Sequence, residues 1–84
     1  MQFKSWKEAA DYGKHVWEAE VNCEGWNSGG PAEDFVSIGI FSTKEESLIA
    51  LHNASKTFER QKGWKYYFSV GYHSHEDCVN WAEG

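Results

Sequence analysis

Basic residues are missing from two long stretches of this chain. Between Lys14 and Lys44 there is no Lys or Arg, and there is none after Lys65. The first gap carries Glu18, Glu20, Glu24, Glu33 and Asp34; the second carries Glu76, Asp77 and Glu83. The net charge is −5, and four of the eight Lys and Arg cluster as Lys56, Arg60, Lys62 and Lys65. An overall basic surface for nucleic acid is therefore disfavoured, and a basic partner is electrostatically easier. No apolar run approaches a membrane span, and no charged segment leads into an apolar one. The expectation is a cytoplasmic protein of a bacterial or infected host cell, with no membrane partner.

Cysteine is scarce as well. Cys23 and Cys78 are the only two, too few for a disulfide framework, so free buried thiols are expected. There is no Gly-x-Gly-x-x-Gly before a helix and no phosphate-loop lysine. At 84 residues the chain is one domain, residues 1–84, with little room for both a packed core and a deep substrate cavity. An enzyme is not expected, and neither is a cofactor.

Aromatics are plentiful: five Trp, four Tyr and five Phe. Such rings fill a small core economically and also dominate binding hot spots. The run Tyr72-His-Ser-His-Glu-Asp-Cys78 has the look of a metal site, and with distant Cys23 it offers His73, His75 and Cys78 as zinc donors. Its His-x-His-x-x-Cys spacing matches no standard knuckle. Ser74-His-Glu-Asp77 instead repeats a device found at Ser5-Trp-Lys-Glu8 and Ser42-Thr-Lys-Glu45. A Ser hydroxyl accepts from an orphan amide of the first helical turn, and an acid favours the positive end of the helix dipole. No metal site is assigned from the sequence.

These caps predict helices over 6–12, 43–62 and 75–82, with Gly13 and Gly63 as stops. The apolar stripe of the second helix would be Leu48, Leu51, Ala54 and Phe58. Between the helices the period is two. Residues 15–23 send Trp17, Ala19, Val21 and Cys23 one way and Glu18, Glu20 and Asn22 the other, with Val16 as the exception. Further strands are expected over 34–41 and 64–72. The turn-forming run 24–33 would link the first two strands. The expected fold class is α+β, a small domain of order α-β-β-α-β-α. Its three-stranded, mainly antiparallel sheet has the helices packed on one face, and the third strand returns beside the first.

Trp26 stands alone among Gly, Asn and Ser. It is either folded back onto the sheet or exposed for recognition. With Glu18, Glu20, Glu24, Glu33 and Asp34 it makes a candidate surface for a protein partner with a basic face. The expected role is an inhibitor or neutraliser that covers a nucleic-acid-processing surface, as phage anti-defence and toxin-immunity proteins do. Two alternatives are a nucleic-acid-binding or regulatory module and a self-assembling accessory protein. The first would use Lys56, Arg60, Lys62 and Lys65 with Trp64, Tyr66 and Tyr67. The second would form a homodimer through an edge strand.

Overall fold

The computed structural model describes residues 1–84. Its elements are β1 (Gln2–Phe3), α1 (Trp6–Tyr12), β2 (Val16–Asn27), β3 (Gly30–Phe41), α2 (Lys44–Thr57), β4 (Lys65–His73) and α3 (His75–Glu83). The α+β class and the three helices are as expected. The sheet has four strands rather than three, in the order β1-β3-β2-β4, with every neighbouring pair antiparallel. The added strand, β1, is two residues long and pairs Phe3 with Ile40. It is too short to show a period. β4 lies beside β2, the neighbour expected for it.

Each helix starts on a hydroxyl cap. Ser5 accepts from the amide of Glu8, and Ser74 accepts from that of Asp77. At α2 the cap is Thr43, which accepts from the amide of Glu46, so the working motif is Thr43-Lys-Glu-Glu46, one residue later than expected. Gly13 closes α1 in the left-handed region, at φ 81°. α2 ends at Thr57, well before Lys62. Phe58 turns to extended backbone and packs its ring against Tyr66 and Phe68 at 5.7 and 5.8 Å. Arg60 then donates to the Ser55 carbonyl, one of those left free at the helix end.

The ten-residue link 24–33 is absent as a loop. Its residues zip into the ladder, pairing Glu24 with Glu33, Gly25 with Ala32 and Trp26 with Pro31. Only Ser28 and Gly29 turn, and the Asn27 side chain accepts from the Gly29 amide. The turn formers in this run misled because backbone pairing, continued from the strands below, outweighs local propensity.

Register assigns two faces to the sheet. One carries Val16, Glu18, Glu20, Asn22, Glu24 and Trp26 of β2, beside His73, Gly71, Ser69, Tyr67 and Lys65 of β4. The other carries Trp17, Ala19, Val21 and Cys23 beside Tyr72, Val70, Phe68 and Tyr66. A bulge at Ile38 keeps β3 in phase, since Ala19 pairs with Gly39 and Glu20 with Ser37.

The helices do not share one face. α2 lies on the second, where Phe58 meets Tyr66 and Phe68. α1 and α3 pack together over one end of the first, where Phe3, Ala9, Val16, Ile40 and Cys78 make a buried cluster. Val16, the break in the sequence alternation, is apolar because this lobe covers it. The α2 stripe is also shifted. Ser47 is fully buried, with its hydroxyl bonded to the Lys44 carbonyl, while Leu48 is exposed.

Gly25 shows why glycine suits a strand interior here. A Cβ at this position would fall 2.2 Å from the Trp64 ring. Gly25→Ala therefore has to displace that indole. We expect a loss of about 1–3 kcal/mol, measured by urea unfolding followed by circular dichroism.

Candidate functional site

The first sheet face is covered at one end and open at the other. At the border, β2 presents Glu18 and Glu20, and β4 presents His73. One donor atom from each lies within 4.8 Å of the others. His73 Nε2 donates to Glu18 Oε1 across 3.1 Å. Ser37 of β3 donates to Glu18 Oε2 at 2.6 Å, and Ser69 donates to Glu20 Oε1 at 3.4 Å. Glu18 is only 5% exposed, so its partners compensate a desolvated carboxylate.

Two indoles hold the imidazole in place. Trp6 of α1 and Trp81 of α3 meet His73 edge-on, with centroids 5.3 and 4.7 Å away, and lie 4.6 Å from each other. With Phe35 of β3 they wall an open cavity of about 340 Å³ above Glu18 and Glu20. Gly71 of β4 pairs with Glu18, and a Cβ there would sit 3.3 Å from both Glu20 Oε2 and His73 Nε2, a tight contact that glycine avoids.

Electrostatics register the crowding. Burial, and then the adjacent Glu18 charge, push the Glu20 carboxyl above its ordinary value; the Ser69 hydrogen bond pulls the other way. No Lys or Arg forms an ion pair with Glu18 or Glu20.

Beyond this cluster the face runs open to the hairpin tip. Phe35, Tyr67 and Trp26 are exposed there, Trp26 at 72%. The ring therefore projects into solvent. Glu24 and Glu33 stand directly opposite each other beside it. Lys65 flanks Glu24 on β4, and the Tyr67 hydroxyl donates to the Glu24 carboxylate at 3.4 Å. Of the six residues singled out in the sequence, five share this face. Glu18 and Glu20 form the inner cluster, and Glu24, Trp26 and Glu33 form the tip. Asp34 pairs with Cys23 and points to the opposite face. The period-two pattern already puts Ser37 and Tyr67 on the face of Glu18 and Glu20, as the register has them, whereas Phe35 and His73 were missed as companions.

The other sequence candidates do not converge. Cys23 lies on the α2 side and Cys78 in the α1–α3 cluster, both buried and free. Burial raises both thiols above their ordinary value, with Asp34 adding to the effect at Cys23 and Asp77 at Cys78. His75 is bonded to the Ala10 carbonyl and ties α3 to α1. In the basic segment, Trp64 lies against Gly25, and Tyr66 accepts from the Gln61 amide and packs on Phe58. Tyr67 points to the other face, so the three rings form no common stacking platform.

The Glu20 shift has a consequence for stability. A carboxyl that is harder to ionise in the fold than in the open chain binds more protons when folded. Stability is then lost as pH rises from the ordinary value of 4.5 through the raised one. In metal-free buffer Glu20→Gln should raise the melting temperature at pH 7, and the gain should shrink toward pH 4. A thermal melt at both pH values checks this. Set beside known proteins, the chain matches no family model, no curated protein and no solved structure.

Proposed function

We propose that the protein acts by binding another protein, its open acidic sheet face seating on a Lys- and Arg-rich surface and covering it. The observation that carries this reading is the hairpin tip. Glu24 and Glu33 are paired across the strands beside a largely exposed Trp26. Like charges directly opposite one another cost stability, and a large exposed ring gains nothing for the free fold. Both costs are recovered when a cationic surface settles on the tip. Charge then speeds encounter, and Trp26, Tyr67 and Phe35 supply buried area.

A partner of this charge is found among nucleic-acid-processing proteins, whose grooves are basic to hold phosphate. An acidic face backed by rings competes for such a groove, and inhibition or neutralisation is the biochemical outcome. The partner's residues at the contact would be arginine and lysine rather than apolar side chains.

The test is affinity capture from host lysate with three forms of the chain: the wild type, Trp26→Ala, and the double variant Glu24→Lys/Glu33→Lys. The expected result is a basic nucleic-acid-binding protein retained by the wild type, released by moderate salt and lost with both variants. Added oligonucleotide should displace the chain from that partner. Trp26→Ala should cost about 2 kcal/mol or more of affinity, the scale of a hot-spot ring. A partner held equally well by all three forms, or direct binding of the chain to a bare oligonucleotide, would contradict the reading.

A further inference from the structure

We propose that Glu18, Glu20 and His73 form a binding site for one divalent first-row transition-metal ion, of which zinc is the best match. The donors are one imidazole nitrogen and two carboxylate oxygens, brought together within 4.8 Å from two adjacent strands. Bonds of about 2.0–2.2 Å to zinc set neighbouring donors roughly 3 to 3.6 Å apart. His73 Nε2 and Glu18 Oε1 already stand 3.1 Å apart. The ion takes the place of the Nε2 proton that His73 now shares with Glu18, and Glu20 closes in from within 4.8 Å.

Gly71 lies directly across from Glu18, and a Cβ there would sit 3.3 Å from both Glu20 Oε2 and His73 Nε2. Glycine in the interior of a strand weakens it, and its place here leaves the Glu20 carboxylate and the His73 ring unobstructed where they approach Glu18.

The surroundings suit the same occupant. Metal-binding carboxylates usually have their outer oxygens hydrogen-bonded. Here Ser37 engages the Glu18 oxygen that does not face His73, and Ser69 holds Glu20. Trp6 and Trp81 orient the imidazole edge-on. The cavity of about 340 Å³ opens the site to solvent, so water or a partner's side chain can complete the coordination. Glu18 and Glu20 converge without a Lys or Arg partner, and His73 is the one basic side chain beside them. A nitrogen donor beside two oxygens selects zinc, manganese, iron or cobalt over calcium and magnesium, which take oxygen ligands.

The inference stands apart from the docking role, because Glu24, Glu33 and Trp26 take no part in it. Titration calorimetry of tag-free protein with zinc chloride tests it. One ion per chain is expected. Glu20→Gln and His73→Gln should each weaken binding by about 100-fold or more, beyond the roughly 10–100-fold cost of losing an outer partner such as Ser37. His75→Gln and His15→Gln should bind as the wild type does. Cobalt should give a visible absorption band that Glu20→Gln abolishes. Circular dichroism confirms that each variant is folded, and Glu20→Gln, at a partly exposed position, carries the test if His73→Gln does not fold. No stoichiometric binding, zinc affinity unchanged in Glu20→Gln, or calcium bound as tightly as zinc would each overturn the assignment.

Discussion

The structure depends on the backbone pairing of β2 along both of its edges. From Trp17 to Glu24 this strand is bonded to β3 on one side and to β4 on the other. Such a strand has no freedom of register. Each side chain is committed to one face by its parity, and a slip by one residue would bury Glu18, Glu20 and Glu24 under α2. The sharp alternation of β2 thus divides the molecule. Its apolar set calls for a helix on one side, and its acidic set leaves most of the other side open. Val16 breaks the alternation only where α1 and α3 arrive to cover it.

The open face is arranged against its own stability. Carboxylates converge at Glu18 and Glu20, Glu24 pairs with Glu33 across the strands, and three large rings are exposed. A chain of this size has only a few kcal/mol to spare. The buried cluster is small and confined to the far end, so the tip of the hairpin is held mainly by its ladder and by Trp64 lying against Gly25. The two proposed roles use different parts of the face. The inner cluster, backed by Trp6 and Trp81, is suited to an ion. The outer tip, with Trp26 raised between Glu24 and Glu33, is suited to a protein surface.

Where the chemistry is local, the sequence is legible. Ser5 and Ser74 mark their helix starts, Gly13 marks a stop, and the parity of 15–23 and 64–72 gives both faces of the central pair. Long-range packing is where expectation failed. Nothing near Thr57 announces that Phe58 will leave the helix, because its partners Tyr66 and Phe68 lie beyond a turn. β1 is a pair of residues that become a strand only because Ile40 and Phe41 are there to receive them. For the same reason the acids of the candidate surface were visible and their companion was not. His73 joins Glu18 through strand register, and it stands one position past the expected end of its strand at Tyr72.

β2 sends its acids to a face shielded at the helix end and open at the tip. Carboxyl labelling with a carbodiimide and glycine ethyl ester, combined with ring oxidation and read by mass spectrometry on the free protein, tests it directly. Glu24 and Glu33 should label fast and Glu18 slowly, while Trp26 oxidises ahead of Trp64. Glu18 reacting as fast as Glu24, or Trp26 protected at the level of Trp64, would contradict it.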